Sequence, residues 1–291
     1  MKRLSGHTLP FAVLGHPIGH TLSPVMHNAA MQALEMDAIY LALDVAPERL
    51  MDVLPAMAAM GFRGVNLTVP LKEVAFRGLK DLDASAQLLR AVNTVEFLPA
   101  GLRGHNTDGA GFLMALEESF ATKVKGLSVF VLGCGGAGRA VALTCATHGA
   151  ARIALADTDA ARATQVASEI LLLGLPVLAE PVGANPAAWI AAAPGVDLVV
   201  QATPIGMKKE DPSVLPPAAF RAGQLAFDLV YMYPETAFMK AARAGSARAA
   251  NGLGMLLHQG AKAFSIWTGT MPPADVMRKA LQAEVYGAAG A

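Results

Sequence analysis

The 291-residue chain is long enough for two domains of ordinary size, and its 23 basic and 23 acidic side chains leave no net charge. With no Lys- or Arg-rich stretch, that balance excludes a nucleic-acid partner held by an electrostatic field and an anionic membrane surface alike. Hydrophobic residues make up 54% of the chain, but Gly and Pro interrupt them before any run could span a bilayer, so the expected partner is a small molecule.

The polar stretch from Met1 to Pro10 lacks the apolar core of a secretory signal. Two cysteines make no disulfide framework, and the cytoplasm is the expected compartment. From Phe11 onward, β-rich runs alternate with Ala- and Leu-rich runs of helical spacing: FAVLG, SPVMHNAAMQALE, AIYLALDV, PERLMDVLPAMAAM and RGVNLTV. This alternation predicts βα units around a mostly parallel sheet. In GLRGHNTDGAGF, Gly101 and Gly104 read as turn residues and Asp108 as able to cap the following helix, so the chain is expected to cross into a second domain there.

A second series begins at LSVFVLG and continues through RIALAD, PVLAE, DLVVQAT and LAFDLV. It reads as a doubly wound α/β domain. After Asn251, GMLLHQGAKAFSIWTG and the helix after Pro273 bring no further strand, and the simplest packing returns them to the first domain. The expected organisation is therefore α/β, with 1–107 plus 252–291 as a substrate-binding catalytic domain and 108–251 as a Rossmann-type dinucleotide-binding domain.

In VFVLGCGGAGRAVAL, Gly133, Gly135 and Gly138 form G-x-G-x-x-G between a buried-looking strand and a helix rich in small residues. The glycines permit a tight turn, approach of a pyrophosphate to the backbone, and close helix–strand packing. The helix N-terminus offers free N–H groups and partial positive charge to the same phosphates. Asp157 ends the run RIALAD, 24 residues beyond Gly133, near where an acidic side chain meets the ribose hydroxyls of NAD and repels the 2′-phosphate of NADP. The alternative is that Asp157 only caps the next helix, a role Thr158 or Asp159 can also fill.

Three polar clusters lie at strand ends or turns of the first domain. Thr21 and Ser23 precede Pro24 and a helix, and can cap that helix or hold a carboxylate at its N-terminus. Asn66, Thr68 and Lys72 surround Pro70. Asn93, Thr94, Asn106, Thr107 and Asp108 come from AVNT and HNTDG. Lys72 alone reads as a solvated charge and Asp108 alone as a cap; together, a lysine and a carboxylate can hold a substrate hydroxyl and move its proton. His16 and His20 are four apart, but Pro17 and Gly19 between them argue against a helical metal pair, and no metal is expected. Cys134 reads as a small loop residue and Cys145 as part of a buried helix face.

The strings GHPIGHTLSPVMHNAA, NLTVPLKE, AVNT, GHNTDGAGF, VLGCGGAGRA, QATPIGM, DLVY and NGLGMLLHQGA, in this order, resemble the shikimate dehydrogenase family from about residue 11 to residue 270. The resemblance implies reversible, NAD(P)-dependent oxidation of shikimate to 3-dehydroshikimate, with Lys72 and Asp108 as the catalytic pair. It implies that Thr21, Ser23, Thr68, Asn93, Tyr231 and Gln259 bind substrate, and that Gly133, Gly135, Gly136, Ala137, Gly138, Asp157, Thr203, Leu229 and Gly252 bind cofactor. Tyr40 matches a pocket tyrosine of some quinate-accepting members.

Two departures from the family pattern bear on specificity. Thr21 stands where many members have serine, and Ala156-Asp157-Thr158 replaces a string close to N-R-T with its phosphate-binding arginine. Asp157 therefore favours NAD, while Arg162 on the next helix keeps NADP open. Quinate oxidation with NAD is the competing enzymatic reading. A non-catalytic sensor of dinucleotide and ring carboxylate is the reading from another class, and Lys72 with Asp108 speaks against it. The family includes monomers and homodimers, so assembly is left open.

Overall fold

The computed structural model describes residues 4–287. Two compact units form: one from the described residues up to Gly111 together with those from Leu257 onward, the other from Phe112–Leu256. Each contains a six-stranded sheet.

The first unit opens with β1 (Leu9–Gly15), α1 (Ser23–Ala33) and β2 (Ala38–Asp44). A 3-10 turn at Pro47–Arg49 leads into α2 (Leu50–Ala59), whose Leu50, Leu54 and Met57 are buried at helical spacing; burying each contributes about 2 kcal/mol. Pro55 sits on the exposed side of that helix. There follow β3 (Gly64–Leu67), α3 (Leu71–Gly78), β4 (Asp81–Leu82), α4 (Ala84–Leu89), β5 (Thr94–Leu98) and β6 (Gly101–His105).

The strand order is β2-β1-β3-β5-β6-β4, and only β5 runs against the rest. Its reversal pairs Asn66 with Thr94 and Thr94 with His105. The start of β5 therefore lies at the same sheet edge as the ends of β1, β3 and β6, and that edge carries the polar clusters. Gly101, at φ +136°, does begin at a turn. Gly104, expected as a turn residue, is instead inside β6, where a Cβ would come within 2.8 Å of Leu82 and Val92. A glycine in a strand can mark close packing as well as a turn.

The chain leaves this unit within α5 (Asp108–Phe120). The second unit then alternates β7 (Ser128–Leu132), α6 (Gly136–Thr147), β8 (Arg152–Ala156), α7 (Ala160–Leu171), β9 (Leu178–Pro181), α8 (Pro186–Ala192) and β10 (Leu198–Gln201). It ends with β11 (Leu225–Asp228), α9 (Ala237–Ala244) and β12 (Arg248–Asn251). The sheet is wholly parallel in the order β12-β11-β10-β7-β8-β9. This order reverses direction between β7 and β10, the arrangement of a doubly wound fold. Strands β7, β8, β10 and β11 are almost continuously buried, as parallel strands covered on both faces must be.

The chain re-enters the first unit within α10 (Leu253–Thr268) and ends in α11 (Ala274–Tyr286), which packs on α1. The rings of Phe11, His27, Tyr40, Phe264 and Trp267 form one aromatic layer there. Among the described residues, no helix is long and apolar enough to cross a membrane.

Candidate active site

In the first unit Lys72 is the second residue of α3 and Asp108 the first of α5. Lys72 Nζ donates to Asp108 Oδ2 at 2.7 Å, and the side chains are 28% and 15% exposed. Such a bond, sheltered but open to solvent, holds the two side chains together where a bound hydroxyl can reach them. The other carboxylate oxygen accepts from Asn93 Nδ2 at 2.8 Å. The same amide nitrogen approaches Thr107 Oγ1 at 2.9 Å and Gln259 Oε1, on α10, at 3.4 Å. Lys72, Asn93, Asp108 and Gln259, widely separated in the sequence, thus form one cluster.

Asp108 does not cap α5 with its side chain. The Asn106 carboxamide accepts from the Asp108 N–H at 2.9 Å, which leaves the Asp108 carboxylate to Lys72 and Asn93. At α1, Thr21 Oγ1 accepts from the Ser23 N–H at 3.3 Å, and Ser23 is buried at the helix start. Thr68 follows β3 directly; a Cβ on Gly15 would lie 2.5 Å from its methyl group, so a glycine at the end of β1 makes room for Thr68. Tyr40 does not stand free in a pocket: it is 1% exposed, and its hydroxyl donates to Asn66 Oδ1 at 2.7 Å.

His16 faces Asp44, with Nδ1 2.6 Å from Oδ1. Among the described residues, no group of three or more His, Cys, Asp or Glu side chains is placed to hold a metal ion.

In the second unit the glycine loop leaves β7 and enters α6. Gly133 has φ +95°, and a Cβ on Gly138 would lie 1.8 Å from the Gly133 carbonyl oxygen, so only glycine fits there without moving backbone. Gly135 and Gly136 face open space, and Gly136 and Ala137 begin α6, whose terminal N–H groups suit a phosphate.

Asp157 follows β8, and its two oxygens accept from the backbone N–H groups of Cys134 and Asp159 at 2.8 and 2.9 Å. The cap of α7 is Asp159, which accepts from Ala161 N. A cavity of about 540 Å³ is lined by Gly133, Gly135, Asp157, Thr158, Arg162 and Thr203. Trp189 and Val214 also line it; in the sequence they look like ordinary core residues, and no local pattern marks them. The cradle and cavity fit a dinucleotide.

Further along the same sheet edge, a Cβ on Gly252 would lie 2.3 Å from the Leu229 carbonyl oxygen, so the expected cofactor positions Leu229 and Gly252 are in close contact. Tyr231 is in the loop after β11, and burial raises the pKa of its hydroxyl. The Cys134 thiol is pushed up to about 12 by burial and by the neighbouring Asp157 charge, and burial also raises that of Cys145. Neither is an activated nucleophile.

A parallel doubly wound sheet with this glycine cradle, in a chain that also carries a lysine–aspartate pair, defines a two-unit α/β NAD(P)-dependent oxidoreductase. A family model described as "Shikimate dehydrogenase substrate binding domain" matches residues 13–95, and one described as "Shikimate 5'-dehydrogenase C-terminal domain" matches residues 252–282. Shikimate dehydrogenase (NADP(+)) of Moorella thermoacetica is 42% identical over 99% of this chain and 97% of its own. The structure of the Listeria monocytogenes shikimate 5-dehydrogenase in complex with shikimate and NAD is similar at TM-score 0.89 and 33% identity, covering 97% of this chain and 99% of that one. The structure of quinate dehydrogenase from Corynebacterium glutamicum in complex with NAD is similar at TM-score 0.85 and 31% identity, covering 94% and 98%. The chain belongs to the shikimate dehydrogenase family.

Proposed function

We propose that the chain catalyses the reversible NAD(P)-dependent oxidation of shikimate to 3-dehydroshikimate, with Lys72 and Asp108 as the proton-transfer pair. The observation that carries this reading is the 2.7 Å bond from Lys72 Nζ to Asp108 Oδ2, with the second carboxylate oxygen engaged by Asn93. The unit that ends at Gly111 and resumes at Leu257 carries the proton-transfer pair, and Phe112–Leu256 carries the cofactor cradle. Thr21 and Ser23 hold the ring carboxylate, and Thr68, Asn93, Tyr231 and Gln259 hold the carboxylate or ring hydroxyls. Gly133, Gly135, Gly136, Ala137 and Gly138 cradle the pyrophosphate; Thr203, Leu229 and Gly252 border the dinucleotide.

When bound, the dinucleotide supplies the hydride acceptor. In the oxidation direction Lys72 takes the hydroxyl proton, and Asp108 holds the ammonium in place; in reduction Lys72 stabilises the developing oxyanion and returns the proton. NAD is the preferred cofactor in this reading: the Asp157 carboxylate lies in the cavity wall, and Arg162 pairs with Asp159 at 3.4 Å. The NADP(+) of the Moorella thermoacetica relative's name supports the competing preference, with Arg162 turning to the 2′-phosphate. A second reading, quinate oxidation with NAD, is supported by Asp157 and by the likeness to a quinate dehydrogenase bound to NAD.

Initial rates for shikimate and quinate, each with NAD and NADP, test substrate and cofactor together. Lys72→Ala and Asp108→Asn should lower kcat by about 100-fold or more with a smaller effect on KM, because the lost interaction is strongest in the transition state. A raised KM at unchanged kcat would make Lys72 a binding residue instead. Ligand binding without turnover of any pair would favour a sensor.

A further inference from the structure

Behind the Lys72–Asp108 pair, Asn93 continues into a buried chain of polar side chains, of which Asn66 and Thr94 have no assigned part in the reaction. Tyr40, Asn66, Asn93 and Thr94 are each at most 5% exposed. Tyr40, its ring stacked on His27 at 4.3 Å, donates its hydroxyl to Asn66 Oδ1 at 2.7 Å. Asn66 Nδ2 donates to the Asn93 carbonyl at 3.1 Å and to Thr94 Oγ1 at 3.0 Å. Thr94 Oγ1 donates to Asn93 Oδ1 at 2.9 Å, and Asn93 Nδ2 reaches Asp108.

The direction of every bond is fixed by two groups that have no choice. The Asn93 carbonyl can only accept, so it faces the nitrogen of the Asn66 amide and turns the Asn66 oxygen to Tyr40. The Thr107 backbone N–H can only donate, and it meets Asn93 Oδ1 at 2.8 Å, so the Asn93 nitrogen faces Asp108. Thr94 accepts from Asn66 and must therefore send its own proton to Asn93 Oδ1. A flipped Asn93 amide would set its oxygen against a carboxylate oxygen and its nitrogen against two donors.

We propose that Tyr40, Asn66 and Thr94 form a polarised hydrogen-bond relay that, together with the Thr107 N–H, holds the amide of Asn93 and, through it, the Asp108 carboxylate in register with Lys72. Asn66 and Thr94 are positioning residues rather than substrate contacts. This rests on the reading of Lys72 and Asp108 as the proton-transfer pair. The relay exists because β5 runs antiparallel to β3, which puts Thr94 opposite Asn66.

Thr94→Val keeps the shape and removes only the hydroxyl; Thr94→Ser restores it. For Thr94→Val we expect kcat for shikimate oxidation to fall about tenfold with KM changed by less than about threefold. The acid limb of the kcat/KM profile should also move to higher pH, because the carboxylate loses a well-aimed donor. Thr94→Ser should return both to near the wild-type values, and Tyr40→Phe should shift them the same way by less.

A Thr94→Val enzyme with wild-type turnover and pH profile overturns the relay, as does a Thr94→Ser enzyme as impaired as Thr94→Val. Should Thr94→Val fail to fold, an unchanged profile in Tyr40→Phe overturns it equally. Lys72→Ala and Asp108→Asn, measured in the same series, separate the two readings. Full turnover in those variants sinks the proton-transfer assignment itself, whereas their loss beside an unaffected Thr94→Val removes only the relay.

Discussion

The backbone N–H of Cys134 donates to Asp157 Oδ2 at 2.8 Å, tying the glycine loop after β7 to the first residue beyond β8. The carboxylate that faces the cofactor cavity is thus also a strut of the loop that forms it, since its other oxygen holds Asp159 N.

Asp157→Asn tests both roles. A carboxamide has one acceptor oxygen for two backbone N–H groups, so one of them is left facing an amide nitrogen at a cost of about 1–3 kcal/mol. We expect a lowered thermal midpoint, and a fall of about tenfold in the ratio of kcat/KM for NAD to that for NADP as the repulsion of a 2′-phosphate weakens. An unchanged ratio would remove Asp157 from cofactor discrimination.

Asp228, at the end of β11, is fully buried, with Oδ2 accepting from Thr236 Oγ1 at 2.6 Å and Oδ1 from Val230 N at 3.0 Å. Burial pushes its carboxyl up to about 6, above the ordinary value near 3.9. Between those values the folded chain keeps a proton that the unfolded chain has released, so this group's contribution is greatest below about pH 4 and is lost as pH rises to about 6. Asp228→Asn cannot ionise. Relative to wild type it should gain on the order of 2 kcal/mol of unfolding free energy between pH 4.5 and 7.5, read by denaturant unfolding at both pH values. Parallel changes in the two chains would contradict this.

His27 shows the opposite dependence. Its ring is fully buried, neither nitrogen has a hydrogen-bond partner among the described residues, and burial lowers its pKa to about 3. Unfolding exposes a ring that titrates near 6.5, so below that pH the unfolded chain takes up a proton the folded chain refuses, and stability falls as pH drops towards 3. His27→Phe preserves the stack on Tyr40 and abolishes this uptake. The variant should lose about 2 kcal/mol less than wild type between pH 7.5 and 5, a difference in which any constant packing offset cancels. Equal losses would refute it.

How much was legible beforehand depended on how far apart the interacting residues lie. The glycine loop could be read because strand, loop and helix are contiguous: Gly133 and Gly138 meet across five residues, and Asp157 arrives one βα unit later. The reversal of β5 could not. Gly101 and Gly104 gave the same local signal, yet one starts after a turn and the other is packed against Leu82 and Val92. Nor could the choice between Asn106 and Asp108 as the group serving the start of α5, since either side chain has the chemistry to cap.

The sequence by itself determined the alternation of strands and helices, the cradle at the start of α6, and the residue types available for proton transfer, because these follow from short-range sterics and periodicity. Only the tertiary structure decided which partners those residues take. Strand register sets Asn66 against Thr94, α3 and α5 set Lys72 against Asp108, and α10 adds Gln259. These pairings are long-range contacts fixed by packing around the sheet, and hydrogen-bond satisfaction among buried groups then leaves each amide one orientation.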